Sequence, residues 1–199
     1  MSPSGWVRPP GPVAAGLRIG LLGGSFNPAH QGHLHASRTA LHRLGLDFVW
    51  WLVTPQNPLK PAKGMAPLAT RLSTARTVAR NPRIIVSDVE RALGTRYTID
   101  TLRALKQHFP GVKFVWLMGS DNLAEFSRWR RWPEILRTVP IAVIARPASA
   151  LAARASAPMV RFRSALRSPA ELFSGRPPAI AILDGRRSKE SATAIREKQ

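Results

Sequence analysis

Leu17-Arg18-Ile19-Gly20-Leu21-Leu22-Gly23-Gly24 decides how the rest of this chain is read. The run is short and apolar and closes on two glycines, as a buried parallel strand feeding a tight turn would. Residues 32–44 follow, with Leu34, Ala40, Leu41 and Leu44 on one helical stripe, and Gly45 stands where such a helix would stop. A strand, a tight turn and a helix make the opening unit of an α/β sheet.

The unit recurs. Residues 48–53 read as a second strand, and Thr54-Pro55 opens a Pro-rich loop through residue 67. Helices are predicted over 68–80, 99–108 and 132–137, and strands over 83–86, 113–118, 141–145 and 179–183. Residues 148–174, rich in Ala, Ser and Arg, read as partly helical, and 191–198 as a short terminal helix. This alternation predicts a single Rossmann-like, doubly wound parallel sheet covered on both faces. The domain is expected to span 17–199, with residues 1–16 a flexible Pro/Gly-rich arm.

Composition narrows the class without naming a partner. The chain has 199 residues, 44% of them hydrophobic, enough for one buried core. No run approaches the roughly 18 uncharged apolar residues of a membrane span, so no membrane partner is expected. The absence of cysteine removes disulfides, thiolate metal sites and a cysteine nucleophile. The arm has neither the basic segment nor the apolar core of a signal peptide, so a cytoplasmic protein is expected. A formal charge of +19, from 30 Lys and Arg against 11 Asp and Glu, favours anionic partners. The arginines are spread along the chain without interleaved aromatics, so no specific nucleic-acid partner is expected. Oligomeric state is left open, a homo-oligomer included.

Chemistry concentrates in Gly23-Gly24-Ser25-Phe26-Asn27-Pro28-Ala29-His30-Gln31-Gly32-His33. This loop lies between the first strand and first helix, where open parallel sheets bind ligands. Paired glycines let backbone N–H groups approach phosphate, and the positive end of a helix faces the same space. His30 and His33, three apart across the helix start, can both donate to phosphate oxygens and, when protonated, add positive charge. Two plain loop histidines are the alternative. A metal site lacks a third ligand at any obvious spacing, so none is assigned.

GGSFNPAHQGH resembles the GG[ST]FxPxHxGH signature of the HxGH nucleotidyltransferase superfamily. The resemblance implies ATP on this loop, bound by Gly23, Gly24, Ser25, Phe26 and His33, with His30 assisting. Ser191-Ala192-Thr193-Ala194-Ile195-Arg196 is similar to the superfamily's second signature, IS[SA]TxIR, and implies phosphate contacts from Ser191, Thr193 and a catalytic Arg196. Glu190 departs from that pattern, which usually has an apolar residue there.

Further stretches resemble the nicotinate mononucleotide adenylyltransferase family. Thr54-Pro55-Gln56-Asn57-Pro58-Leu59-Lys60 is similar to its acceptor loop, and Arg96-Tyr97-Thr98-Ile99-Asp100-Thr101-Leu102 to its [SP]YTxxTL segment. Gly119-Ser120-Asp121-Asn122-Leu123, with Trp129 beyond, is similar to G[SQ]DxLxxFxxW, and Arg146-Pro147 to its RP element near the adenine. The resemblance therefore implies an acceptor site of Asn57, Lys60, Tyr97, Thr98, Trp129 and Arg130, and adds Gly119, Asp121 and Arg146 to the ATP site. Physically, Trp129 can stack on a pyridine ring, while N–H groups at Thr98 and Arg130 suit its carboxylate. Trp129 and Tyr97 as core residues, and Thr98 and Asp121 as helix caps, are the alternatives.

The expected reaction is attack of an acceptor phosphate on ATP, with Mg²⁺ on the phosphates and pyrophosphate leaving. The expected substrates are ATP and nicotinate mononucleotide. A sister enzyme using phosphopantetheine, and a basic nucleic-acid-binding protein on a degenerate nucleotide fold, are the rivals.

Overall fold

The computed structural model describes residues 7–55, 64–145, 153 and 155–184. Asn57, Lys60, Arg146, Ser191, Thr193 and Arg196 lie outside the described residues, as does the helix predicted at 191–198.

Six strands form one sheet: β1 (Arg18–Gly24), β2 (Phe48–Val53), β3 (Ile84–Ser87), β4 (Lys113–Gly119), β5 (Ile141–Ala145) and β6 (Ile180–Asp184). All pairings are parallel, in the order β3-β2-β1-β4-β5-β6. This is the doubly wound sheet the alternation predicts, each strand falling within a residue or so of its expected place.

Both faces are buried, which is why the strands read as continuous apolar runs. Ile19, Leu21, Trp50 and Trp116 point to one face, and Leu22, Trp51, Val115 and Leu117 to the other. Against the first face lies α4 (Thr98–His108), whose Ile99, Leu102 and Leu105 are fully buried at a spacing of three. An 11-residue helix is marginal alone, whereas burying three such side chains gains about 2 kcal/mol each, so packing decides that it forms. The second face is covered by α1 (Gln31–Arg43) and α2 (Leu68–Val78). Gly45, at φ +58°, turns the chain out of α1 as expected.

No element is predicted at α3 (Val89–Ala92) or at the 3₁₀ turn Phe126–Arg128, and α5 (Ser120–Glu125) is foreseen only through Asp121 as a candidate cap, a place that Gly119 takes. Four to six residues are too few to establish a helical period. The helix α6 (Trp132–Thr138) lies near its predicted place, and the described part of the 148–174 stretch includes a short helix, α7 (Ala157–Arg161), and a 3₁₀ turn, Arg163–Ala165. Of the N-terminal residues, Val7 and Val13 pack against the first-face core.

The winding reverses between β1 and β4. Their carboxyl ends open a crevice there, into which the loops after β1, β2 and β4 emerge.

Candidate active site

The turn after β1 is built to hold two imidazoles in one orientation. His30 is the N-cap of α1, with extended backbone, and its Nδ1 accepts the Gly32 N–H at 3.1 Å. In return the His33 Nδ1 accepts the His30 N–H at 3.2 Å. This is a capping box in which histidines replace the usual Ser/Thr and Glu, satisfying two N–H groups that helix geometry leaves open. The rings lie with centroids 3.9 Å apart, tilted by 46°.

The box fixes the tautomer. A nitrogen that accepts a hydrogen bond carries no proton, so each neutral ring holds its proton on Nε2. Both histidines are thereby set to donate from Nε2, on the side away from the backbone.

Beneath the rings the loop is tightly supported. Phe26 takes a left-handed backbone conformation at φ +48°, unusual for a side chain of its size. That turn buries its ring, stacked on Trp51 at 5.1 Å and 4.6 Å from the His33 ring. Any contact Phe26 makes with a ligand is therefore through its backbone. Trp51 in turn donates from Nε1 to Ser37 Oγ at 2.7 Å, tying α1 to β2. Ser25 Oγ is buried with no partner among the described residues, an orphan of the kind folded cores avoid.

The two glycines do different things. A Cβ on Gly23 would sit 2.4 Å from the Trp116 ring, so that glycine exists to let the indole lie against the strand. A Cβ on Gly24 would meet nothing nearer than the Phe26 ring at 3.5 Å, an ordinary contact. Packing explains the first glycine; it does not explain the second.

Across the crevice, aromatic contacts organise the loop after β4. Trp129 is half-buried, edge-on to Trp116 at 6.1 Å and to Phe126 at 5.3 Å. Arg130, exposed beside it, lays its guanidinium over the Tyr97 ring at 4.5 Å. Tyr97 is the N-cap of α4 and Thr98 its first residue, not its cap; in this position the Thr98 N–H has no acceptor within the helix. Tyr97, Thr98, Trp129 and Arg130, separate in sequence, are thus neighbours. Gly119 ends β4 as N-cap of α5, and Asp121 is exposed in that helix's first turn.

Two residues at this end of the sheet escaped the sequence reading. Arg71 on α2 is 2% exposed, and burial pushes its guanidinium below the ordinary value. It donates to the carbonyls of Ser25, Thr54, Pro55 and Ala66. Glu90 on α3 is also buried and accepts from Thr101 Oγ1 at 3.2 Å. Burial pushes its carboxyl up, while the Thr54 and Thr101 hydroxyls pull it partly back. The signal for Arg71 was its place on the stripe Leu68, Arg71, Leu72, Ala75, where an apolar residue belongs.

Comparison with known proteins bears on this geometry. Residues 21–198 match the model of the family described as cytidylyltransferase-like. The chain is 55% identical over 189 residues to the "probable nicotinate-nucleotide adenylyltransferase" of Parvibaculum lavamentivorans, covering 94% of each. The chain belongs to the nicotinate-nucleotide adenylyltransferase family. A second member, from Methylorubrum extorquens, is 54% identical and aligns over 90% of this chain and 99% of its own. In fold the chain is similar to the Plasmodium falciparum nicotinic acid mononucleotide adenylyltransferase complexed with NaAD. There the TM-score is 0.65 at 15% identity, covering 91% of this chain and 83% of the other.

Among the described residues no helix is long and apolar enough to cross a membrane, and no three His, Asp or Glu side chains cluster to hold a metal.

Proposed function

We propose that this protein transfers the adenylyl group of ATP to the phosphate of nicotinate mononucleotide in the cytoplasm. The products are nicotinate adenine dinucleotide and pyrophosphate. The observation that carries the reading is the reciprocal histidine capping box, which holds two imidazoles side by side at the turn after β1.

In the reaction an acceptor phosphate oxygen bonds to the ATP α-phosphorus. The bond from that phosphorus to the bridging oxygen breaks, and pyrophosphate departs with the electron pair. The nucleophile is already an anion, so the protein needs to align it and neutralise charge rather than supply a base. His33, helped by His30, donates to the phosphates around the reacting phosphorus. The Gly24 backbone receives the triphosphate, beside Gly23, Ser25 and Phe26, and Gly119 and Asp121 meet the nucleoside side. Trp129 stacks on the pyridine ring, with Tyr97 at its margin, and the Thr98 and Arg130 N–H groups hold its carboxylate. Magnesium enters as part of the MgATP substrate, keeping several waters and needing few protein carboxylates. On the family resemblance alone, Asn57 and Lys60 join the acceptor side, and Arg146, Ser191, Thr193 and Arg196 the ATP side.

The test is pyrophosphate release from MgATP with nicotinate mononucleotide, nicotinamide mononucleotide and phosphopantetheine in parallel. Release with the first at least tenfold faster than with the others is expected. Release with phosphopantetheine alone, or none with any acceptor, overturns the reading.

A further inference from the structure

Arg71 is a buried cation with no carboxylate partner among the described residues. Four of its five N–H donors are accounted for, and each goes to a backbone carbonyl. Nη1 reaches Ser25 O and Thr54 O, both at 2.8 Å; Nη2 reaches Pro55 O and Nε reaches Ala66 O, both at 2.9 Å. Those carbonyls belong to three places: the turn after β1, the end of β2, and the approach to α2. Desolvating an arginine is costly, and four carbonyls could be satisfied more cheaply by water on an exposed loop.

The same three places are joined by a second set of bonds. Thr54 N–H donates to Gly24 O at 3.0 Å. Asn27 Nδ2 donates to Gly64 O at 2.9 Å, and its Oδ1 accepts the Ala66 N–H at 3.2 Å. Gly24 and Ser25 belong to the turn assigned to the triphosphate, whereas Thr54, Pro55, Gly64 and Ala66 flank the stretch assigned to the acceptor. A guanidinium is planar and rigid, so binding both sides sets the distance between them. Lysine, a point charge with three rotatable donors, could not do so.

We infer that Arg71 is a positioning residue, holding the triphosphate turn and the acceptor-side strand end at the spacing that in-line transfer needs. The inference rests on the proposed adenylyl transfer. Misalignment by a fraction of an ångström affects the reacting geometry more than the binding of either substrate alone.

Arg71→Lys is therefore expected to lower kcat at least tenfold while shifting KM for ATP and for nicotinate mononucleotide less than threefold. In Arg71→Ala, added guanidinium should raise kcat at least fivefold and leave the unsubstituted protein unaffected. A kcat for Arg71→Lys within twofold of the original overturns the inference, as does a loss that merely follows the unfolded fraction at the assay temperature, or no rescue by guanidinium. Amide exchange in the unsubstituted protein, without substrate, tests it even if neither variant folds. The Thr54 and Ala66 amides should open as one unit, and independent exchange overturns the inference. Failure of the unsubstituted protein to release pyrophosphate sinks the functional reading instead, and the exchange result still decides whether Arg71 joins the two segments.

Discussion

The turn after β1 and the loop after β4 face each other across the crevice and are held by opposite means. The first is fastened by hydrogen bonds: two imidazoles capping one helix, four carbonyls on one guanidinium, and an indole bonded to a serine. The second rests on ring contacts among Trp116, Phe126 and Trp129, with Arg130 exposed at its rim over the Tyr97 ring. Hydrogen bonds fix direction, whereas aromatic edges fix area and tolerate sliding. On the proposed reading, reaction geometry then belongs to the first side and ring recognition to the second.

Replacing His33 by alanine should break this contrast most severely. It removes an Nε2 donor and one half of the capping box, and kcat is expected to fall about 10²–10³-fold with KM for ATP little changed. Steady-state kinetics decide, and equal losses in kcat and ATP affinity would deny a transition-state role.

The glycine pair sharpens the comparison next. Gly23→Ala drives a methyl into the Trp116 ring, and such overpacking costs about 1–3 kcal/mol, lowering Tm by about 5 °C in calorimetry. Gly24→Ala should leave Tm within about 1 °C, since its methyl meets only ordinary contacts, yet weaken ATP binding. Equal Tm losses in the two variants would show that both glycines serve packing.

On the aromatic side, Trp129→Ala should raise KM for the pyridine nucleotide about tenfold and leave that for ATP unchanged, matching a stacking contribution of about 1.4 kcal/mol. A change in kcat alone would contradict the division of labour.

The smallest effect concerns Glu90. Its folded-state carboxyl is raised by burial, so the folded chain holds a proton that the unfolded chain releases at lower pH. Stability from this group is thus present below the ordinary glutamate value of 4.5 and is lost as pH rises through the raised folded value. Glu90→Gln, which keeps an acceptor for Thr101, should flatten that decline, so the Tm difference between variant and original grows with pH. A difference independent of pH would refute it.

The sheet was legible because strands buried on both faces leave unbroken apolar runs, and β2 and β5 were read to the residue. The histidine pair was legible as spacing, though its reciprocal capping was not, because a ring nitrogen's partner depends on how the backbone turns. The packing constraint on Gly23 was not legible for a related reason: Trp116 is far away in sequence, and only strand pairing brings it alongside. Arg71 resembled the other helical arginines until burial distinguished it, although its place in an apolar stripe was there to be noticed. The start of α4 was placed one residue too late, at Ile99 with Thr98 as a candidate cap, because helix ends are uncertain by a residue or two.

Trp116 touches both sides of the crevice, one rim of its ring against the Gly23 backbone and a face-to-edge contact with Trp129 beyond. It is a ruler cut to the width of one indole. A narrower ring at 116 would leave a gap between the Gly23 backbone and Trp129, so where the loop after β4 stands beside the first turn depends on a residue buried within the sheet.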